Sequence, residues 1–303
     1  MTIGLDLGGT DLKSGRVAAD GSLEDFTRCP SRAAESAEAP LEALIEAARA
    51  LLAGAPAHAV GVGVPGAIDP PSGALVGRTP HFPHWCDVPI AHRLSEALGS
   101  PVRVDNDANA HAYAEHRLGA ARGARVSLTV TLGTGVGGGI VAGDRVLHGA
   151  FGGAGELGHV PIGSGEWPCA CGVERCAEPE MSASGLVRAA RRAGFDVSCG
   201  EDVFRLAAKG EAVAIALVDR MGDRLGAAIA IAVGIVNPDV VVIGGGLAQA
   251  GEPLFTRVRA AVDRYALPSH RHGMRIVTAA LGEQAGVIGA GLLAARAMRE
   301  ARR

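Results

Sequence analysis

The chain lacks any block of like charge. Its 29 Lys and Arg and 32 Asp and Glu residues are dispersed and sum to −3, so nothing advertises a nucleic acid or an anionic membrane as a partner. It also lacks a long apolar run. The most apolar stretch, Leu225 to Val236, stops at Asn237-Pro238, short of the roughly 20 residues that span a bilayer. Met1 is followed at once by the strand-like Thr2-Ile3-Gly4-Leu5-Asp6-Leu7, so no leader peptide is expected. Of six cysteines, Cys29, Cys86 and Cys199 are scattered without a disulfide-like pattern, and reduced thiols that hold a metal fit an intracellular chain. No short-period repeat is present, which excludes solenoids. No G-K-[ST] Walker loop and no Rossmann fingerprint in its strand–helix setting occur. A cytoplasmic protein is the expectation.

What is present is a folding pattern. At 303 residues, 48% of them hydrophobic and 20% charged, the chain suits two domains or one large one. Strand and helix signals alternate. Ile3, Leu5 and Leu7 alternate with Gly4, Asp6 and Gly8 as in a strand with one packed face, and Lys13 to Ala18 resumes an extended pattern, so the two read as a hairpin. Leu41, Leu44, Ile45, Ala48, Leu51 and Leu52 fall at helical spacing, with Gly54 as a stop. A valine strand ends at Pro65-Gly66. Val102 and Val104 form another, and residues 106 to 118 read as a helix. A second hairpin follows in residues 126 to 142. Then come a long helix over about 213–236, a strand over 240–243, a helix near 254–265, a strand over 275–278 and a final helix from Gln284. This is a mixed α/β chain, with Gly119 to Arg125 as a candidate hinge.

Glycine runs at strand ends let backbone N–H groups converge on an anion, because no Cβ blocks the approach. Asp6-Leu7-Gly8-Gly9-Thr10 adds a carboxylate that could hold Mg²⁺ through water, a hydroxyl, and Lys13 three residues later. Gly133-Thr134-Gly135-Val136-Gly137 supplies a second such turn. Gly244-Gly245-Gly246 follows a strand and is placed to abut the base or ribose of a nucleotide. Each alone is an ordinary turn; three in one chain, one carrying Asp6 and Thr10, point to nucleotide phosphate.

Asp105-Asn106-Asp107-Ala108-Asn109 ends a strand and begins a helix. One of these residues caps the helix, which leaves the others unexplained. A carboxylate here could take the proton of an acceptor alcohol, help worth roughly 10²–10⁴ in rate. Between Glu156 and Glu178 lies the other dense motif: His159, then Cys169, Cys171 and Cys176. Three thiolates and an imidazole suit tetrahedral Zn²⁺, and four protein ligands leave no open position for water, so the ion builds a loop. What that loop presents is Glu156, His159 and Glu178.

Together these segments resemble the ROK family (repressors, open reading frames and sugar kinases) of the actin/hexokinase/Hsp70 superfamily, in order and over almost the whole chain. The E-x-G-H of Glu156–His159 with C-x-C-G-x3-C-x-E is its most specific element. The resemblance implies a two-domain α/β actin-like ATPase (ribonuclease H-like) fold with an interdomain cleft. Its smaller lobe would hold residues 1–118 and 284–303, the final helix returning to it, and the larger lobe residues 119–283. It implies ATP-dependent phosphorylation of a hexose at the 6-hydroxyl by a glucokinase-like enzyme, with Mg²⁺ and a structural Zn²⁺. Glucose is the first choice, and N-acetylglucosamine, N-acetylmannosamine, mannose or allose are alternatives. A sugar-responsive ROK regulator is disfavoured, because no DNA-binding module is expected ahead of Asp6.

By resemblance, Asp107 is the base, and Gly66, Asn106, Asp107, Glu156, His159 and Glu178 contact the sugar. Asp6, Gly8, Gly9, Thr10, Lys13, Gly133, Thr134, Gly135, Gly137, Gly245 and Gly246 hold the nucleotide. His159, Cys169, Cys171 and Cys176 hold the metal, one ring nitrogen of His159 on the ion and the other toward the sugar. A homodimer or homotetramer is implied. Three places depart from the family. Arg175 stands where glycine is usual, Pro179-Glu180 sits where the pattern is less charged, and His81-Phe82-Pro83-His84-Trp85 replaces an Asn-Leu-x-Trp pattern; Trp85 either covers the sugar's apolar face or packs.

Overall fold

The computed structural model describes residues 1–53 and 57–301; the expected helix stop at Gly54 lies outside them. Two compact units emerge. One comprises Met1–Arg122, Gly139–Ala154 and the segment from Glu283 onward; the other comprises Gly123–Gly138 and Gly155–Gly282.

The first unit opens with β1 (Thr2–Leu7), β2 (Asp11–Val17) and β3 (Leu23–Pro30). There follow α1 (Ala39–Leu52), β4 (Val60–Val64), the short ribbon β5 (Arg78–Thr79) and β6 (Phe82–Cys86), α2 (Ile90–Leu98), β7 (Val102–Asn106) and α3 (Asp107–Arg117). Its sheet has the order β3-β2-β1-β4-β7. The β1–β2 pair is the expected hairpin, its turn closed by Gly8 N–H donating to Asp11 O at 2.8 Å. β4 and β7 run parallel to β1, as their helical crossovers require. Apolar side chains of β1, α1, β4 and α2 form the core, Leu5, Leu44, Val60 and Leu94 among them.

The chain continues through β8 (Val126–Leu132), β9 (Val136–Ala142), β10 (Arg145–Val146), α4 (Glu178–Met181), α5 (Ala183–Arg192), α6 (Gly200–Ala208) and α7 (Ala212–Val236). It ends with β11 (Val240–Gly244), α8 (Glu252–Tyr265), α9 (Pro268–Arg271), β12 (Arg275–Thr278) and α10 (Ala285–Glu300). The second sheet has the order β10-β9-β8-β11-β12, with β8, β11 and β12 parallel. Asp239 fixes the start of this pairing by accepting from the N–H groups of Arg125 and Val126, both at 2.8 Å. α7 buries Val218, Met221, Leu225, Ile229 and Val233 at steps of three and four. It ends at Asn237, left-handed with φ 45°, followed by Pro238. Among the described residues no helix is long and apolar enough to cross a membrane.

The final helix, α10, packs on β1, β4 and α3 within the first unit. The approach is so close that a Cβ on Gly61 of β4 would sit 1.9 Å from the carbonyl oxygen of Ala290. The expected boundary after residue 118 left residues 139–154 with the second lobe, whereas this stretch joins the first unit. Its tethers explain why. His116 Nε2 donates to Gly143 O at 2.6 Å, Arg296 pairs with Asp144 at 3.0 Å, and His148 Nε2 reaches Asp105 Oδ2 at 2.8 Å.

Candidate active site

The β1–β2 hairpin and the β7–α3 junction bring charge together in the first unit. Asp6 is buried at the end of β1, with Lys13 Nζ at 3.6 Å and His111 Nε2 at 3.8 Å from its Oδ2. Burial pushes the Asp6 carboxyl up, but the bonds and charges of His111 and Lys13 outweigh it and hold the group below its ordinary value. Burial alone would lower the His111 ring, yet Asp6, then Asp107, hold it above its ordinary value. Asp107, the first residue of α3, moves the other way. Its carboxyl is raised by burial and then by the charge of Asp6, against smaller opposing contributions from His111, the Ala108 N–H and His81. The expected base therefore holds its proton more tightly than a free carboxylate, as general-base tuning toward neutral pH requires.

The neighbouring polar residues are accounted for. Asn106 is the N-cap of α3: its Oδ1 accepts from Asn109 N–H at 3.1 Å, while its Nδ2 donates to Gly66 O at 3.1 Å. Gly66 sits at φ 115°, a conformation glycine tolerates, with Thr79 beside it. Asp105 accepts from Asn106 N–H and Asn109 Nδ2 on Oδ1 and pairs with His148 through Oδ2. Trp85 is core: it is 1% exposed, stacks on Phe82 at 4.6 Å and donates Nε1–H to Ala37 O. That resolves its two expected roles in favour of packing.

In the second unit, the ligand atoms of His159, Cys169, Cys171 and Cys176 lie within 4.8 Å of one another. A tetrahedral ion with Zn–S bonds of about 2.3 Å requires donor separations of about 3.8 Å, so the set is nearly closed and fits the ion in number, type and spacing. His159 turns Nδ1 to the thiols, 3.3 Å from Cys176 Sγ, and its Nε2 lies 3.8 Å from Glu156 Oε2. Burial pushes the Cys169 and Cys176 thiols up, a direction a bound cation reverses. Arg175 adopts φ 55°, which is why glycine suits this place; Arg175 compensates with Nε donating to Gly163 O at 3.0 Å. Glu180 braces the loop from beneath, accepting from Ser164 and pairing with Arg224 at 3.0 Å.

The Gly133–Gly137 turn joins β8 to β9, and Glu178 reaches it: Val136 N–H donates to Glu178 Oε2 at 3.1 Å. Gly245, at φ 84°, lies against the backbone of Leu132, and Gly246 opens a 3-10 turn running to Ala250.

The sequence pattern of the ROK family matches residues 2–297. The chain belongs to the ROK family. It is 36% identical to a glucokinase of Halalkalibacterium halodurans, covering 96% of this chain and 94% of that protein. The crystal structure of a ROK hexokinase from Thermus thermophilus aligns with a TM-score of 0.84 at 37% identity, covering 99% of both chains. A ROK family glucokinase from Streptomyces griseus, solved with glucose and AMPPNP, aligns with a TM-score of 0.84 at 30% identity, covering 97% of this chain and 99% of that one. The fold is accordingly the actin-like α/β ATPase fold of ROK kinases.

Three residues join the first-unit site without having been expected there: His111, His148 and Gly286. His111 carried a signal, standing four residues after Asp107 on the same helix face. His148 and Gly286 carried none, since each arrives from a distant part of the chain.

Proposed function

We propose that this chain transfers the γ-phosphoryl group of ATP to the 6-hydroxyl of a hexose, with glucose as its first substrate. Asp107 carries the reading. It stands at the strand–helix junction beside a buried, ionised Asp6, with its proton affinity raised. An alcohol becomes a competent nucleophile only as its proton leaves, and Asp107 receives that proton as the oxygen attacks phosphorus. The full-length likeness to kinases named for glucose supports the choice of acceptor.

Asp6 is a hard anionic oxygen donor of the kind Mg²⁺ takes, directly or through water. When bound with ATP, Mg²⁺ neutralises charge on the phosphates. Gly8, Gly9, Thr10 and Lys13 of the first hairpin, and Gly133, Thr134, Gly135 and Gly137 of the second, present N–H groups, hydroxyls and a cation to the phosphates. Gly245 and Gly246 serve the nucleoside. Gly66, Asn106, Glu156, His159 and Glu178 contact the sugar. With Nδ1 of His159 on the metal, Nε2 is left to a hydroxyl, and Zn²⁺ fixes the tautomer and the loop. The protein acts in the cytoplasm without a nucleic-acid partner, in keeping with its dispersed charge and with a Cys3His set that requires reduced thiols, and as a homodimer or homotetramer, as the family resemblance implies.

A coupled assay of ADP release across glucose, mannose, allose, N-acetylglucosamine and N-acetylmannosamine tests the proposal. Glucose giving the highest kcat/KM supports it. An absence of sugar-dependent ADP release, with nucleotide bound, refutes it.

A further inference from the structure

The second glycine turn is held by the metal loop. The segment that follows Cys176 touches the Gly133–Val136 backbone at three points. Ala183 N–H donates to Gly133 O at 2.9 Å, Ser184 Oγ donates to Thr134 O at 2.5 Å, and Val136 N–H donates to Glu178 Oε2 at 3.1 Å. Glu178 also faces the metal set: Cys169 Sγ lies 3.4 Å from its Oε1. The contact is tight, since a Cβ on Gly135 would fall 2.7 Å from Glu178 Oε2. On the other flank, a Cβ on Gly158, beside His159, would fall 2.5 Å from Val136 O.

We infer that Glu178 is a positioning residue for the phosphate turn, through which metal occupancy of the Cys3His loop sets nucleotide affinity. The inference rests on the reading of Gly133–Gly137 as a phosphate-binding turn, and it adds a donor-side role to a residue otherwise assigned to the sugar. Closing four ligands on one ion fixes Cys169, and fixes Cys176 two residues before Glu178 opens α4. That places the carboxylate which accepts from Val136. Backbone N–H groups bind phosphate well only when their directions are set in advance. Without the ion, α4 and the carboxylate lose their anchor and the turn loses its shape.

The test measures binding of AMPPNP by calorimetry, without sugar, to the metal-loaded and chelator-treated protein and to Glu178→Ala and Glu178→Gln. Glu178→Ala binds about tenfold more weakly, the scale of one hydrogen bond to a charged group. Glu178→Gln keeps an acceptor for Val136 and binds within about threefold of the unaltered protein. Chelation weakens the unaltered protein and has a smaller effect on Glu178→Ala. Equal affinity of Glu178→Ala and the unaltered protein overturns the inference, as does a Gln variant as weak as the Ala one. If the unaltered protein binds no AMPPNP, the phosphate-turn reading fails instead. Exchange of the Val136 amide then decides the coupling. Faster exchange after metal removal supports the link between loop and turn, and unchanged exchange overturns it.

Discussion

His111 stands one turn after Asp107 on α3 and brings its Nε2 to 3.8 Å from Oδ2 of Asp6. With Lys13 on the other side of Asp6, two cationic groups surround one carboxylate, and a second carboxylate, Asp107, carries the cost in a raised proton affinity. The opposite displacements of Asp6 and Asp107 come from what each carboxyl faces. Burial raises both; at Asp6 the partners His111 and Lys13 outweigh it, whereas at Asp107 the charge of Asp6 adds to it and the opposing contributions are smaller.

His111→Ala removes one of these cations and lowers stability by about 1–3 kcal/mol, the cost of stripping a partner from a buried charge. The pH dependence has a definite sign. The His111 value is raised in the folded state, so its contribution is fully present below the ordinary histidine value of about 6.5 and is lost as pH rises through the folded value. Asp6 is lowered, so its contribution is present above about 3.9 and is lost as pH falls through its folded value. Urea unfolding should therefore show the largest gap between His111→Ala and the unaltered protein near pH 5–6. A gap that widens steadily above pH 8 contradicts this assignment.

Asp107→Asn should bind sugar and AMPPNP yet lose about 10²–10⁴ in kcat. Because the folded-state value of Asp107 is raised, its ionised form costs stability at every pH above the unfolded carboxyl value. The Asn variant should be the more stable protein at pH 8, and the advantage should shrink as pH falls toward 4. Calorimetric melting at pH 8 and pH 5 checks both the sign and the trend.

The same displacement appears in the rate. With Asp107 as base, kcat falls on the acid side along a single limb whose apparent pKa lies above the ordinary aspartate value of about 3.9. A profile that stays flat down to pH 4.5 would remove Asp107 from the proton-transfer step.

Gly286→Ala tests the closeness of α10 to the site. Its Cβ would fall 2.4 Å from the carboxyl carbon of Asp6, so Asp6 must leave its place beside Lys13 and His111 or α10 must shift. A cost of about 1–3 kcal/mol follows from such overpacking, with KM for MgATP rising more than KM for sugar. Steady-state kinetics with each substrate varied in turn gives the comparison.

What could be read from the sequence was local. The β1–β2 hairpin, the strand–helix junction at Asp107 and the His-Cys-Cys-Cys set each have their members within about twenty residues of one another, so spacing alone placed them. β3, α2, α5 and α6 escaped. β3 (Leu23–Pro30) is half-exposed to exposed throughout, so no apolar alternation marks it. α2 buries only Ile90 and Leu94 of its nine residues, too short a stripe to read as a period. The pairing of Asp105 with His148, the approach of Gly286 to Asp6 and the tether from Glu178 to Val136 join residues far apart in the chain, and nothing in either local segment names its partner. From the sequence Trp85 suits packing better than a sugar face, and its burial and its bond to Ala37 O bear packing out.

Cys171→Ser tests the metal site at its most accessible ligand, since Cys171 is exposed while Cys176 is buried. Ser is nearly isosteric, so the change removes a thiolate and little packing. If the four side chains close on Zn²⁺, the unaltered protein carries about one ion per chain, and the variant, with three ligands left, holds it far more weakly. Because binding stabilises only the folded form, the unaltered protein should melt lower after chelation, and Cys171→Ser should melt near the chelated value with or without added zinc. Metal analysis by mass spectrometry and paired melts check it. A variant retaining a full equivalent of zinc would mean that Cys171 is not a ligand, leaving His159, Cys169 and Cys176 with a fourth donor drawn from elsewhere.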